Sequence, residues 1–69
     1  MPLIQVTMVA GRTTEQKHAL IRNLSEAMAE TLDVPLERIR VALYEVSADE
    51  WGIGGVPFSS ARGPISPSS

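Results

Sequence analysis

Four residues in this chain have types and positions suited to chemistry: Pro2, Arg12, Arg40 and Trp51. Pro2 stands directly behind Met1 and becomes the N-terminal residue once that methionine is removed, which a small neighbour allows. Its nitrogen is then a secondary amine rather than an amide. α-Amino groups titrate at roughly pH 8, and burial or a nearby cation lowers that further. Such an amine can stand neutral at pH 7 and accept a proton as a general base. Alone, Pro2 reads more simply as the start of an edge strand, where a missing N–H does no harm.

Arg12 follows the first apolar run and Arg40 lies inside the second. An arginine in an otherwise apolar strand row is costly unless it meets an anion or a subunit boundary. Its planar fork suits a carboxylate. The plainer alternatives are a solvated loop charge for Arg12 and an ion pair with Glu45 or a neighbouring acid for Arg40. Composition by itself favours those alternatives. Trp51 reads as a core or interface anchor, or as a wall that dries a pocket and lowers a nearby amine's pKa. Arg38 reads as a solvated turn charge. Gly52-Ile53-Gly54-Gly55 lacks the lysine and the helix start of a phosphate loop. No Ser/His/Asp set and no paired carboxylates stand out.

The elements that must position these residues are legible in the apolar spacing. Leu3 to Val9 is a strand candidate, with Ile4, Val6 and Met8 on one face and Leu3, Gln5, Thr7 and Val9 on the other. Ala10-Gly11-Arg12 leaves it. Thr13 and Gln16 have the spacing of a capping box. The period then changes to 3.6: Leu20, Ile21, Leu24, Ala27, Met28, Thr31 and Leu32 form the stripe of a helix laid on a sheet. His18 lies off that stripe and takes no role. The helix should stop near Asp33, because Pro35 disfavours an α conformation at Val34. Pro35 to Arg38 makes the return. Ile39 to Val46 is a second strand, with Arg40, Ala42, Tyr44 and Val46 facing away from the helix.

This pattern predicts an α/β (α+β) fold, a single β-α-β domain over residues 1–58 with two parallel strands and a right-handed crossover. Ser47 to Glu50 reads as a turn, and the glycine-rich 51–57 as a short C-terminal hairpin or loop. Residues 59–69, rich in Ser, Pro and Gly, read as a mobile tail. The helix covers one sheet face only. The other face and both edges stay bare and invite pairing with another chain.

Sixty-nine residues bury too little surface to be comfortable alone. There is no cysteine and one histidine, which removes disulfides and argues against a metal cluster. Oligomerisation is the remaining staple. The net charge is −2, without a basic run or aromatic platform for nucleic acid. No apolar stretch approaches the ~20 residues of a membrane span, and no basic-then-apolar start suggests a signal peptide. A cytoplasmic protein fits these features.

In this order and spacing, the pieces resemble the 4-oxalocrotonate tautomerase family, the small members of the tautomerase superfamily. The resemblance runs from Pro2 to about Gly55. It rests on Pro2 behind Met1, Gly11-Arg12-Thr13, Glu15-Gln16-Lys17, Asp33-Val34-Pro35-Leu36, Arg40-Val41 and Trp51-Gly52-Ile53-Gly54-Gly55. It implies β-α-β protomers, usually assembled as a trimer of dimers, and a reaction without a cofactor or metal. It also implies that Pro2 is the general base, moving a proton between the enol oxygen and a carbon of a 2-hydroxydienoate. Arg12 would hold the distal carboxylate. Arg40 would bind the carboxylate and carbonyl oxygen at the reacting end and stabilise the developing charge, with both arginines reaching the site from neighbouring subunits, so that a lone protomer should be inactive. Trp51 and Val9 would form apolar walls, with Trp51 where many members have phenylalanine. Arg38 stands where the family often has a small polar residue, which changes the charge near the site mouth.

The reading that follows is an enol–keto tautomerase of a small 2-hydroxydienoate or 2-oxo acid such as 2-hydroxymuconate, with aromatic catabolism one setting for it. A second reading keeps the site with a protonated Pro2 and makes the reaction a hydration or dehalogenation of an unsaturated acid. A third makes the chain a non-catalytic subunit of a hetero-oligomer. Both homo- and hetero-hexamers are consistent with the sequence.

Overall fold

The computed structural model describes residues 1–61. Strand β1 (Leu3–Val9), helix α1 (Thr14–Leu32) and strand β2 (Arg40–Val46) follow one another, with a 3₁₀ turn at Leu36–Arg38 before β2. The two strands pair in parallel, Leu3 opposite Arg40 through Val9 opposite Val46. The ladder runs one hydrogen bond past each end. The Arg40 amide donates to the Pro2 carbonyl at 3.0 Å, and the Ala10 amide to the Val46 carbonyl at 2.8 Å. The predicted β-α-β unit is present.

Both ends of α1 are made by local chemistry. The Thr13 hydroxyl accepts from the Gln16 amide at 3.1 Å, and the Gln16 side chain accepts from the Thr13 amide at 2.9 Å. This is the predicted capping box, and such a cap contributes about 1 kcal/mol. At the other end Asp33 adopts φ 56° and ψ 51°, so the chain turns left-handed where the approaching Pro35 forbids continuation. The Val34 amide then bonds back to the Ala29 carbonyl at 3.1 Å and the Asp33 amide to that of Glu30 at 3.4 Å. This pair of bonds satisfies carbonyls that the helix end would leave open.

Side chains alternate as the strand period requires. Ile4, Val6 and Met8 of β1 and Val41 and Leu43 of β2 are half-buried on the helix side. Glu45 shares that side and meets Lys17 of α1 at 2.8 Å. Leu3, Gln5, Thr7, Arg40 and Tyr44 lie exposed on the open side, where the Gln5 amide reaches the Tyr44 hydroxyl at 3.4 Å. Among the described residues only Ile39, at 8% exposure, is buried. Leu3, Leu32, Tyr44 and Ile53 all remain about half exposed. One layer of helix on a two-stranded sheet cannot enclose a core, and the bare face is apolar enough to need covering. None of the described helices is long and apolar enough to cross a membrane.

After β2 a second 3₁₀ turn, Ala48–Glu50, leads into a hairpin of β3 (Gly52–Ile53) and β4 (Val56–Pro57). Gly54 and Gly55 form its two-residue loop at φ 59° and 86°. Positive φ at both centres matches the strand twist of such a hairpin and favours glycine at each. The chain next makes a helical turn, α2 (Phe58–Ala61), in residues that the sequence assigned mainly to the tail. The rest of that stretch, residues 62–69, lies outside the described residues.

Candidate active site

The structure divides the predicted site residues between the two ends of the sheet. Pro2 and Arg40 share one end, joined by the 3.0 Å bond that opens the β ladder. Pro2 is half-buried and Met1 is 84% exposed, so the peptide bond ahead of Pro2 lies at the surface. Arg40 points to the open side. Its Nη1 donates to the Glu37 carbonyl at 2.8 Å and to the Ile39 carbonyl at 3.3 Å. Both bonds use one nitrogen, so among the described residues the Nε and Nη2 donors stay available for the paired approach a carboxylate makes. Arg38, exposed in the preceding 3₁₀ turn, adds a second cation at this end.

An ion pair between Arg40 and Glu45 is not formed. The two residues are five apart on one strand, so they emerge on opposite faces, and Glu45 pairs with Lys17 instead. With that plain explanation removed, the Arg40 guanidinium stands on an open face, held by backbone carbonyls.

Val9, Arg12 and Trp51 gather at the other end. They line a hollow of about 280 Å³ together with Thr7, Met8, Ile53 and Phe58. Arg12 reaches it because Gly11, at φ 136°, swings the chain out of β1 in a conformation that glycine adopts readily. Arg12 is half-buried, which sets aside a solvated loop charge. Trp51 is also half-buried, and its carbonyl accepts from the Phe58 amide at 2.7 Å. Sequence reasoning gave Phe58 no part. Its signal was faint: a single aromatic residue following Pro57 and leading into a Ser/Gly-rich stretch.

The seven residues of β1, at ~3.3 Å each, separate the two groups by more than 20 Å. One protomer therefore does not bring Pro2 and Arg40 against Arg12, Val9 and Trp51.

Fold and residue placement together define a class: a small β-α-β protomer whose charged and aromatic groups are split between the two ends of a half-covered sheet. The chain belongs to the tautomerase family, since the family model described as "Tautomerase enzyme" matches residues 2–61. It is 53% identical over 62 residues to a 2-hydroxymuconate tautomerase of Pseudomonas sp. (strain CF600), covering 90% of this chain and 98% of that one. It superposes with TM-score 0.84 on a heterohexamer 4-oxalocrotonate tautomerase from Chloroflexus aurantiacus J-10-fl, at 44% identity over 90% of this chain and 100% of that chain. A 4-oxalocrotonate tautomerase homologue from the tomaymycin biosynthetic pathway superposes with TM-score 0.86 at 38% identity, over 88% and 94% of the two chains.

Proposed function

We propose that this chain is a cofactor-independent enol–keto tautomerase, an isomerase acting on a small 2-hydroxydienoate or 2-oxo acid such as 2-hydroxymuconate. The observation that supports this reading is 53% identity over 62 residues to a 2-hydroxymuconate tautomerase, in a chain that carries Pro2, Arg12 and Arg40 together.

Once Met1 is removed, the Pro2 nitrogen holds a lone pair directed by the strand that follows it. That lone pair takes the proton of the 2-hydroxyl. The oxygen electrons form the C=O bond, the diene electrons move along the chain, and a carbon receives the proton back from Pro2. Nothing is oxidised or reduced, so the reaction needs no electron carrier. Arg40 holds the carboxylate and the carbonyl oxygen at the reacting end. Its fixed guanidinium stabilises the negative charge that develops there.

Arg12 holds the distal carboxylate, with Val9 and Trp51 as apolar walls. Because the two groups lie at opposite ends of β1, the working site is built between subunits of an oligomer, a hexamer by analogy with the Chloroflexus relative. Burial of a single residue among those described supports the same conclusion. Single-wavelength ultraviolet assays of 2-hydroxymuconate ketonisation, run beside native mass measurement of the particle, test activity and assembly in one preparation.

A further inference from the structure

We propose that Phe58 is a specificity-determining residue of the Arg12 hollow, an inference that rests on the tautomerase reading above. Phe58 stands with Trp51 and Ile53 around Arg12 in the same hollow of about 280 Å³. Two aromatic rings and an isoleucine beside one guanidinium make an apolar-walled slot with a charged anchor. Such a slot fits the flat end of an unsaturated acid that terminates in a carboxylate. Excluding water from the arginine–carboxylate pair strengthens it, because the Coulomb attraction rises as the effective dielectric falls.

The position of Phe58 is fixed by several bonds. Its amide donates to the Trp51 carbonyl at 2.7 Å and closes the hairpin. One residue further on, the Ser59 hydroxyl donates to the Asp49 carboxylate, which ties α2 to the 3₁₀ turn Ala48–Glu50. That turn is braced in its own right: the Ser47 hydroxyl meets the Glu50 carboxylate at 2.9 Å, and the Glu50 amide meets the Ser47 carbonyl at 2.9 Å. Trp51 is therefore held from both sides, and the wall made by Trp51 and Phe58 is set before substrate arrives. A preorganised wall discriminates better than one ordered on binding.

The test compares assembled, Met1-free wild type with Phe58→Ala and Phe58→Leu on two dienols, one carrying the distal carboxylate (2-hydroxymuconate) and one lacking it (2-hydroxypenta-2,4-dienoate). Phe58→Ala should raise KM for the diacid about tenfold, in the range a pocket contact commands. It should leave kcat and the KM of the monoacid unchanged, and Phe58→Leu should recover most of the loss. Ser59→Ala should reproduce part of the effect with the oligomer intact. An unchanged diacid KM in Phe58→Ala, or an equal rise for both acids, overturns the inference. A wild type that turns over neither acid contradicts the tautomerase reading instead. In that case calorimetric binding of muconate, the diacid without the hydroxyl, still decides: about tenfold weaker binding to Phe58→Ala sustains the wall, and equal affinity refutes it.

Discussion

The Arg40 amide donates to the Pro2 carbonyl at 3.0 Å, which fixes the two backbones across the first rung of a parallel ladder. That bond belongs to the backbone. Removing the Arg40 side chain leaves it in place, and a variant there reports on the guanidinium alone. Arg40→Ala should lower kcat by about 100-fold or more, as loss of an oxyanion-stabilising donor does, with little change in the far-ultraviolet circular dichroism spectrum. A stopped-flow comparison of kcat and KM checks this.

Arg12→Ala should behave differently. Arg12 lies at the far end of β1 with Val9 and Trp51, so its loss should chiefly raise KM for a dicarboxylate while kcat is retained. The same substitution should leave a monocarboxylic substrate unaffected. Kinetics with both substrates separate these outcomes, and unchanged constants in both arginine variants would make the site assignment wrong while leaving the fold standing.

The open sheet face should be an interface. Tyr44 sits on that face at 49% exposure, bonded by Gln5. Tyr44→Asp should place an unpaired charge between subunits, dissociate the particle and abolish activity together. Sedimentation velocity beside the ultraviolet assay reads both, and a fully assembled, active variant would contradict an interface there.

Much of this was legible in the chain because the signals are local. Alternating Ile4, Val6 and Met8 defined the covered face of β1, and Thr13 with Gln16 marked the helix start through a capping box that depends on spacing alone. Pro35 announced the stop, although the sequence did not say that Asp33 would take the left-handed turn. The resemblance named Pro2, Arg12, Arg40, Val9 and Trp51, and the strand length explains why a protomer separates them. What was not legible depends on contacts across the fold. Glu45 finds Lys17 on the helix, a partner that strand alternation alone does not name. Ser59 to Ala61 read as tail, because the bonds that fold this turn reach back to Trp51 and Asp49. No local pattern predicts such bonds.

The most direct test of the central claim is the rate of 2-hydroxymuconate ketonisation by mass-verified protein whose first residue is Pro2, measured beside Pro2→Ala and beside protein that retains Met1. Rapid conversion is expected that largely disappears in both comparison proteins, since one lacks the secondary amine and the other has it tied up as an amide. Equal rates with and without Met1 would contradict a proline base, whatever the fold.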